Sequence, residues 1–164
     1  MMRIGATTMT VTERAADRRA AGLLGAIGLA AMLGTMTGQG ALAAGTAKDF
    51  DVHGSFAGEH GATSHPTGEV TGHYDARTDA LSYKITFDGL SGPVSAAHFH
   101  GPAGPGKDAG VLKPIDGPYD SPLSGKVTLS AAQAKALRRG EVYVNLHTAA
   151  HPNGEARAQL DATP

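Results

Sequence analysis

Val142-Tyr143-Val144-Asn145-Leu146-His147-Thr148 decides how the rest of the chain is read. Apolar residues at every second position mark a strand with one face on a core, because successive side chains of a strand point to opposite sides. Val142, Val144 and Leu146 therefore point inward, and Tyr143, Asn145 and His147 point outward. The stretch Ala97-His98-Phe99-His100-Gly101 repeats the pattern: Ala97 and Phe99 both reach a core only if His98 and His100 face away from it. Three imidazoles are thus placed on outward faces, near strand ends and next to loops.

Working outward, Gly and Pro recur at short intervals and separate brief alternating runs over residues 48–57, 68–75, 80–87, 94–100, 124–129, 141–147 and 156–161. These runs predict an all-β fold, a Greek-key-like antiparallel β-sandwich of about seven strands with one short connecting helix. Residues 75–79 read as a hairpin turn, since Tyr74 and Leu81 resume the alternation on either side. Ser130-Ala131-Ala132-Gln133 is a capping-box pattern, and Arg138-Arg139-Gly140 supplies cations and a glycine at the far end of the same Ala-rich segment. That helix is expected to cross from one sheet to the other. Residues 101–122, rich in Gly and Pro, read as a long irregular loop.

Residues 1–44 read as an export signal. Arg14, Arg18 and Arg19 make a positive segment, an apolar stretch of Ala, Leu, Gly and Ile follows, and Ala41-Leu42-Ala43 offers small residues for cleavage. The apolar stretch is too Gly- and Ala-rich and too short to make a good membrane anchor. Removal of this segment leaves residues 45–164 as one domain, periplasmic or secreted, with no stable membrane anchor. The segment carries four of the 14 Lys and Arg and two of the 15 Asp and Glu, so the remainder has a net charge of −3 with its signs interspersed. That balance does not favour nucleic acid as a partner. The chain has no cysteine, which excludes thiolate ligands, cysteine nucleophiles and disulfides.

None of the eight histidines precedes His53. Neutral imidazoles suit zinc and copper, and three of them plus a water make an adequate shell. His98, His100 and His147 are the candidate ligands, with a fourth from His60, His65 or His151. His60 is preferred, because Glu59-His60 lies in the Gly-rich turn between the first two strands. The reading has a geometric condition: imidazole nitrogens more than about 6 Å apart would not share one ion, given metal–nitrogen bonds near 2 Å. His53, His65 and His73 read as surface residues. Glu155, Arg157 and Gln159 alternate with Ala156, Ala158 and Leu160, so they too face away from the core. Arg157 would then either steer a small anion or form a surface pair with a glutamate.

Ala97-His98-Phe99-His100-Gly101-Pro102-Ala103-Gly104-Pro105-Gly106, together with residues 140–160 from Gly140-Glu141-Val142-Tyr143 to Ala158-Gln159-Leu160, resembles the CHRD domain, the repeat unit first described in chordin. Leu90-Ser91-Gly92-Pro93-Val94 and residues 129–137 fit the same pattern. The resemblance implies an all-β sandwich and carries no settled activity. The chain departs from it at Gly58-Glu59-His60-Gly61-Ala62, where a Gln-Glu-Val-Pro-Pro-like stretch is usual, and at Ala158, where Gly is usual. A more distant likeness of site is to copper-zinc superoxide dismutase: His98 and His100 match its copper-binding His-x-His, and Arg157 would take the anion-guiding role.

The leading functional expectation is an exported protein that binds a transition metal, copper before zinc or iron, with superoxide dismutase-like chemistry on a small anionic oxygen species. The alternatives are a metal-free module that binds a protein or an envelope polymer, and a passive metal chaperone.

Overall fold

The computed structural model describes residues 48–164. The export-signal reading of residues 1–44 lies outside the described residues. Among the described residues no helix is long and apolar enough to cross a membrane.

The elements in chain order are β1 (Phe50–Gly58), β2 (Thr67–Asp75), β3 (Ala80–Asp88), β4 (Val94–His100), β5 (Val111–Ile115), β6 (Leu123–Thr128), α1 (Ala131–Arg138), β7 (Val142–Thr148) and β8 (Ala156–Thr163). All eight strands belong to one antiparallel sheet, in the order β5-β4-β7-β8-β1-β2-β3-β6. The sheet curls into a nearly closed barrel, which corrects the expected two-sheet Greek-key sandwich of about seven strands. The correction turns on β8, which pairs with β7 on one side and with β1 on the other and so makes continuous what would have been two sheets. Curling brings distant strands face to face: the Tyr83 ring of β3 meets the Phe99 ring of β4 edge-on at 5.2 Å. Closure stops at β5 and β6, the two edges of the sheet.

Inside, alternation behaves as the sequence indicates. Phe50, Val52 and Phe56 of β1, Val70 and Tyr74 of β2, Ile85 of β3, Phe99 of β4, and Val142, Val144 and Leu146 of β7 share one buried cluster. Burial of such side chains is the main favourable term holding the barrel, at roughly 1.5–3 kcal/mol for each large one. The strand β5 lies inside the segment expected to be an irregular loop. Its Pro114 lacks a backbone N–H and is tolerated because β5 is an edge strand, paired with β4 alone.

The helix starts where the capping box indicates. The Ser130 hydroxyl accepts from the Gln133 amide, and the Gln133 side chain accepts from the Ser130 amide. With a single sheet present, α1 does not bridge two layers. It joins the edge strand β6 to β7 and adds Ala134, Ala136 and Leu137 to the core.

Candidate metal centre

The outward faces of β4, β7 and β8 carry the chemistry, and they are partly closed to solvent, most of all on β7. On β7 Tyr143 is 2 % exposed and Asn145 3 %, although both point away from the barrel interior. Two loops cover them, one following β4 and one following β1. The first turns back directly after His100 at Gly101, whose φ is 153° and where a Cβ would stand 2.7 Å from the Glu141 carbonyl oxygen. Its backbone is pinned to the sheet: Gln159 donates to Ala103 O at 3.0 Å, and Arg157 donates to Gly104 O at 3.1 Å and to Lys107 O at 2.9 Å.

Beside this cover His98, His100 and His147, each half-buried, come together, with one nitrogen of each ring within 4.8 Å of the others. Two of the rings have their orientation fixed from behind. His100 Nδ1 lies 2.9 Å from Ala109 O, and His147 Nδ1 lies 3.0 Å from Pro152 O. A carbonyl only accepts, so each Nδ1 carries the proton, and in the neutral ring each Nε2 keeps its lone pair. Partners of this kind orient a ligand ring and fix its tautomer. His98 Nδ1 is 3.1 Å from His147 Nε2, and without a metal it donates to that nitrogen. A shift of the His98 proton to its other nitrogen would free the lone pair of its Nδ1, beside His147 Nε2.

The spacing of one pair suits an ion directly. Two nitrogens on a tetrahedral centre with bonds of about 2.0–2.1 Å stand about 3.3 Å apart, close to the His98–His147 contact. His100 Nε2 is buried and has no hydrogen-bond partner. A buried polar atom without a partner carries a desolvation penalty that a bound ion would remove. Burial first, then the neighbouring His147 and His100, lower the His98 pKa. Its ring therefore stays neutral and able to coordinate to a lower pH than an exposed imidazole.

His60 is placed elsewhere. Its ring lies between Glu59 and Asp108, with Nδ1 3.7 Å from a Glu59 oxygen and Nε2 3.6 Å from an Asp108 oxygen. The preferred fourth ligand is thus not gathered with the triad, although His60 and His100 line the same cleft. Of the other expected surface residues, His53 and His73 are more than half exposed on β1 and β2, beside Glu69 and Asp51 respectively.

Of the two roles open to Arg157, the contacts present are those of a pair with a glutamate. Its guanidinium lies 3.5 Å over the Tyr143 ring, pairs with Glu59 at 3.2 Å and donates to Gln159, Gly104 and Lys107, with the side chain only 10 % exposed. Four donor contacts are directed inward, so the guanidinium ties the covering loops to the sheet and is poorly placed to attract an anion from solvent. Its nearest acidic partner is Glu59, with Asp108 farther off at 3.9 Å.

Three residues that sequence reasoning gave no role hold the site together. Tyr143 stacks on His100 at 5.0 Å with the rings 11° from parallel, and its hydroxyl accepts from the Ala109 amide at 3.1 Å. Asn145 donates to Glu59 and packs against Gly154, where φ is 114° and a Cβ would approach the Asn145 amide to 2.5 Å. Glu155, fully buried, accepts from the Ser91 amide at 2.6 Å, the Ser91 hydroxyl at 2.7 Å and the Thr148 hydroxyl. Burial alone would raise its pKa, but the hydroxyls of Ser64, Thr148 and Ser91 and the Ser91 amide outweigh it and hold the carboxyl at about 2. Ser64 Oγ has no hydrogen bond of regular geometry, so the Ser91 and Thr148 contacts are the firmer causes. The Thr148–Glu155 link closes the turn that presents Pro152 O to His147. Alternation had placed Tyr143 and Asn145 on the face of His147. Nothing in the sequence pairs Glu155 with Ser91, 64 residues away.

No curated protein and no solved structure matches the chain. The model of the CHRD domain matches residues 49–160, a span that includes all three histidines and both covering loops, and the chain belongs to the CHRD domain family.

Proposed function

We propose that this protein binds one divalent transition-metal ion through His98, His100 and His147. The observation that carries the reading is the buried, unpartnered Nε2 of His100 beside two other imidazoles. The ligand set is all nitrogen, which suits copper and zinc, and copper(II) stands highest in the affinity order of the divalent ions. Zinc and iron(II) are the competitors. The carbonyls of Ala109 and Pro152 orient two of the ligands and the stacked Tyr143 ring supports one of them, so the site is preorganised.

Binding or buffering of the ion is favoured over superoxide turnover. The anion-guiding arginine on which the redox reading leaned has its guanidinium occupied by Glu59, Gln159 and two backbone carbonyls. An export signal in residues 1–44 would place this activity in the periplasm or outside the cell.

The test is metal content. Tag-free protein is exposed in turn to Cu(II), Zn(II) and Fe(II), dialysed and assayed, beside a His98→Ala/His100→Ala variant. The expected result is one ion per chain for the wild type, copper retained best, and none for the variant. A wild type that retains no ion, or a variant that retains as much, overturns the reading.

A further inference from the structure

Glu59, His60 and Asp108 form a second group, with one ligand atom of each within 4.8 Å of the others. A single cleft of about 380 Å³ runs from His60 and Asp108 of this group to His100 of the triad, with Asn145 and Tyr143 also in its lining. The cleft is graded from mouth to floor. Asp108 and His60 stand at the mouth, 72 % and 37 % exposed. Asn145 lies deeper, 3 % exposed, and its Oδ1 has no partner. His100, with its unpartnered Nε2, belongs to the triad. The path thus runs from a carboxylate and an imidazole at the exposed end to the buried imidazole nitrogen of His100.

We infer that Asp108 and His60, backed by Glu59, form the entry port through which a divalent metal ion reaches His98, His100 and His147. The inference rests on the triad being a metal site. The port does not retain the ion, because the guanidinium of Arg157 lies 3.2 Å from Glu59 and 3.9 Å from Asp108 and opposes a second resident cation. Asp108, the most exposed charge of the group, attracts the ion electrostatically, and the effect appears in the rate of uptake more than in the final complex.

The experiment follows Co(II) uptake by tag-free protein in a stopped-flow instrument, using the visible absorbance of the bound ion. Wild type is compared with Asp108→Asn, His60→Asn and the double variant; asparagine is chosen because His60 has φ 52°, a conformation asparagine tolerates. Asp51→Asn, on the β1 strand, serves as a charge-matched control. The double variant is expected to load about fivefold more slowly at low salt. That gap should narrow near about 0.5 M salt, where exposed charges are screened. The final spectrum and stoichiometry should equal those of the wild type, and the control should load at the wild-type rate. Loading of the double variant at the wild-type rate overturns the port, as does a changed final spectrum, which would make His60 a ligand. A wild type without bound-cobalt absorbance contradicts the triad itself and so removes the port with it.

Discussion

His73 and His98 both point away from the same barrel core, one from β2 and one from β4, yet their pKa values move in opposite directions. Asp51, at 2.7 Å, raises that of the exposed His73. Burial, followed by the neighbouring His147 and His100, lowers that of His98. The difference lies in what covers each half of the sheet. On β1 and β2 the outward side chains remain in water, where a histidine can pair with a carboxylate and gain charge. On β4, β7 and β8 two loops lie over part of the outward face, and the three histidines there are crowded together. One orientation on one sheet thus gives a solvated surface in one half and a cluster of imidazoles able to hold a metal ion in the other.

If the covered half depends on its buried anchors, Glu155→Ala should have the largest effect on the fold. It strands the Ser91 amide and two hydroxyls, and a loss of about 3 kcal/mol in urea denaturation is expected. Asp51→Asn in the open half should change stability by less than about 0.5 kcal/mol. The Glu155 contribution also has a defined pH window. Its folded pKa of about 2 lies below its ordinary value of 4.5, so its stabilisation is present above that ordinary value and is lost as pH falls toward 2. The stability gap between wild type and Glu155→Gln should therefore be wide at neutral pH and shrink progressively below 4.5.

Metal affinity separates the halves next. His147→Ala should weaken copper binding by about 100-fold or more in a chelator competition, since even residues that only orient a ligand are worth 10–100-fold. His53→Ala/His73→Ala should leave affinity unchanged. A smaller effect is expected at Tyr143. Tyr143→Leu removes the ring stacked on His100 and should lower copper affinity by about tenfold, whereas Tyr143→Phe keeps the ring and should lower it less.

Ring-proton titration by nuclear magnetic resonance reads the smallest effects. In metal-free protein His73 should titrate above 6.5 and His98 below it. Asp51→Asn should return His73 toward 6.5 and leave His98 where it is. The signs for stability are opposite. The His73 pair contributes below the unfolded value and is lost as pH rises through the raised folded value. The depressed His98 favours folding as pH rises, because the unfolded chain binds the proton more readily. Matching titrations for the two rings would erase the contrast between the halves.

Much of this arrangement was legible in the residues. Alternation in Val142-Tyr143-Val144-Asn145-Leu146-His147 and in Ala97-His98-Phe99-His100 assigned the inward and outward faces, and the Ser130–Gln133 box located the start of the helix. Alternation does not reveal which strands pair, so the β1–β8 junction that turns two supposed sheets into one barrel left no mark. The strand β5 was hidden by Pro114 inside a Gly- and Pro-rich segment, where an edge strand and a loop look alike. The site was half visible. Its three imidazoles could be read from period-2 spacing, but the carbonyls of Ala109 and Pro152 that orient two of them belong to the backbone, and any residue type could supply them. His60 looked like a fourth ligand because its loop position was known and its carboxylate neighbours Glu59 and Asp108 in space were not.

The most direct measurement is the anomalous scattering of a crystal of tag-free protein loaded with Cu(II) and recorded at the copper edge. One strong peak per chain is expected, within about 2.0–2.3 Å of a nitrogen from each of His98, His100 and His147. A peak centred on the Glu59–His60–Asp108 group instead, or no peak at the three imidazoles, would contradict it.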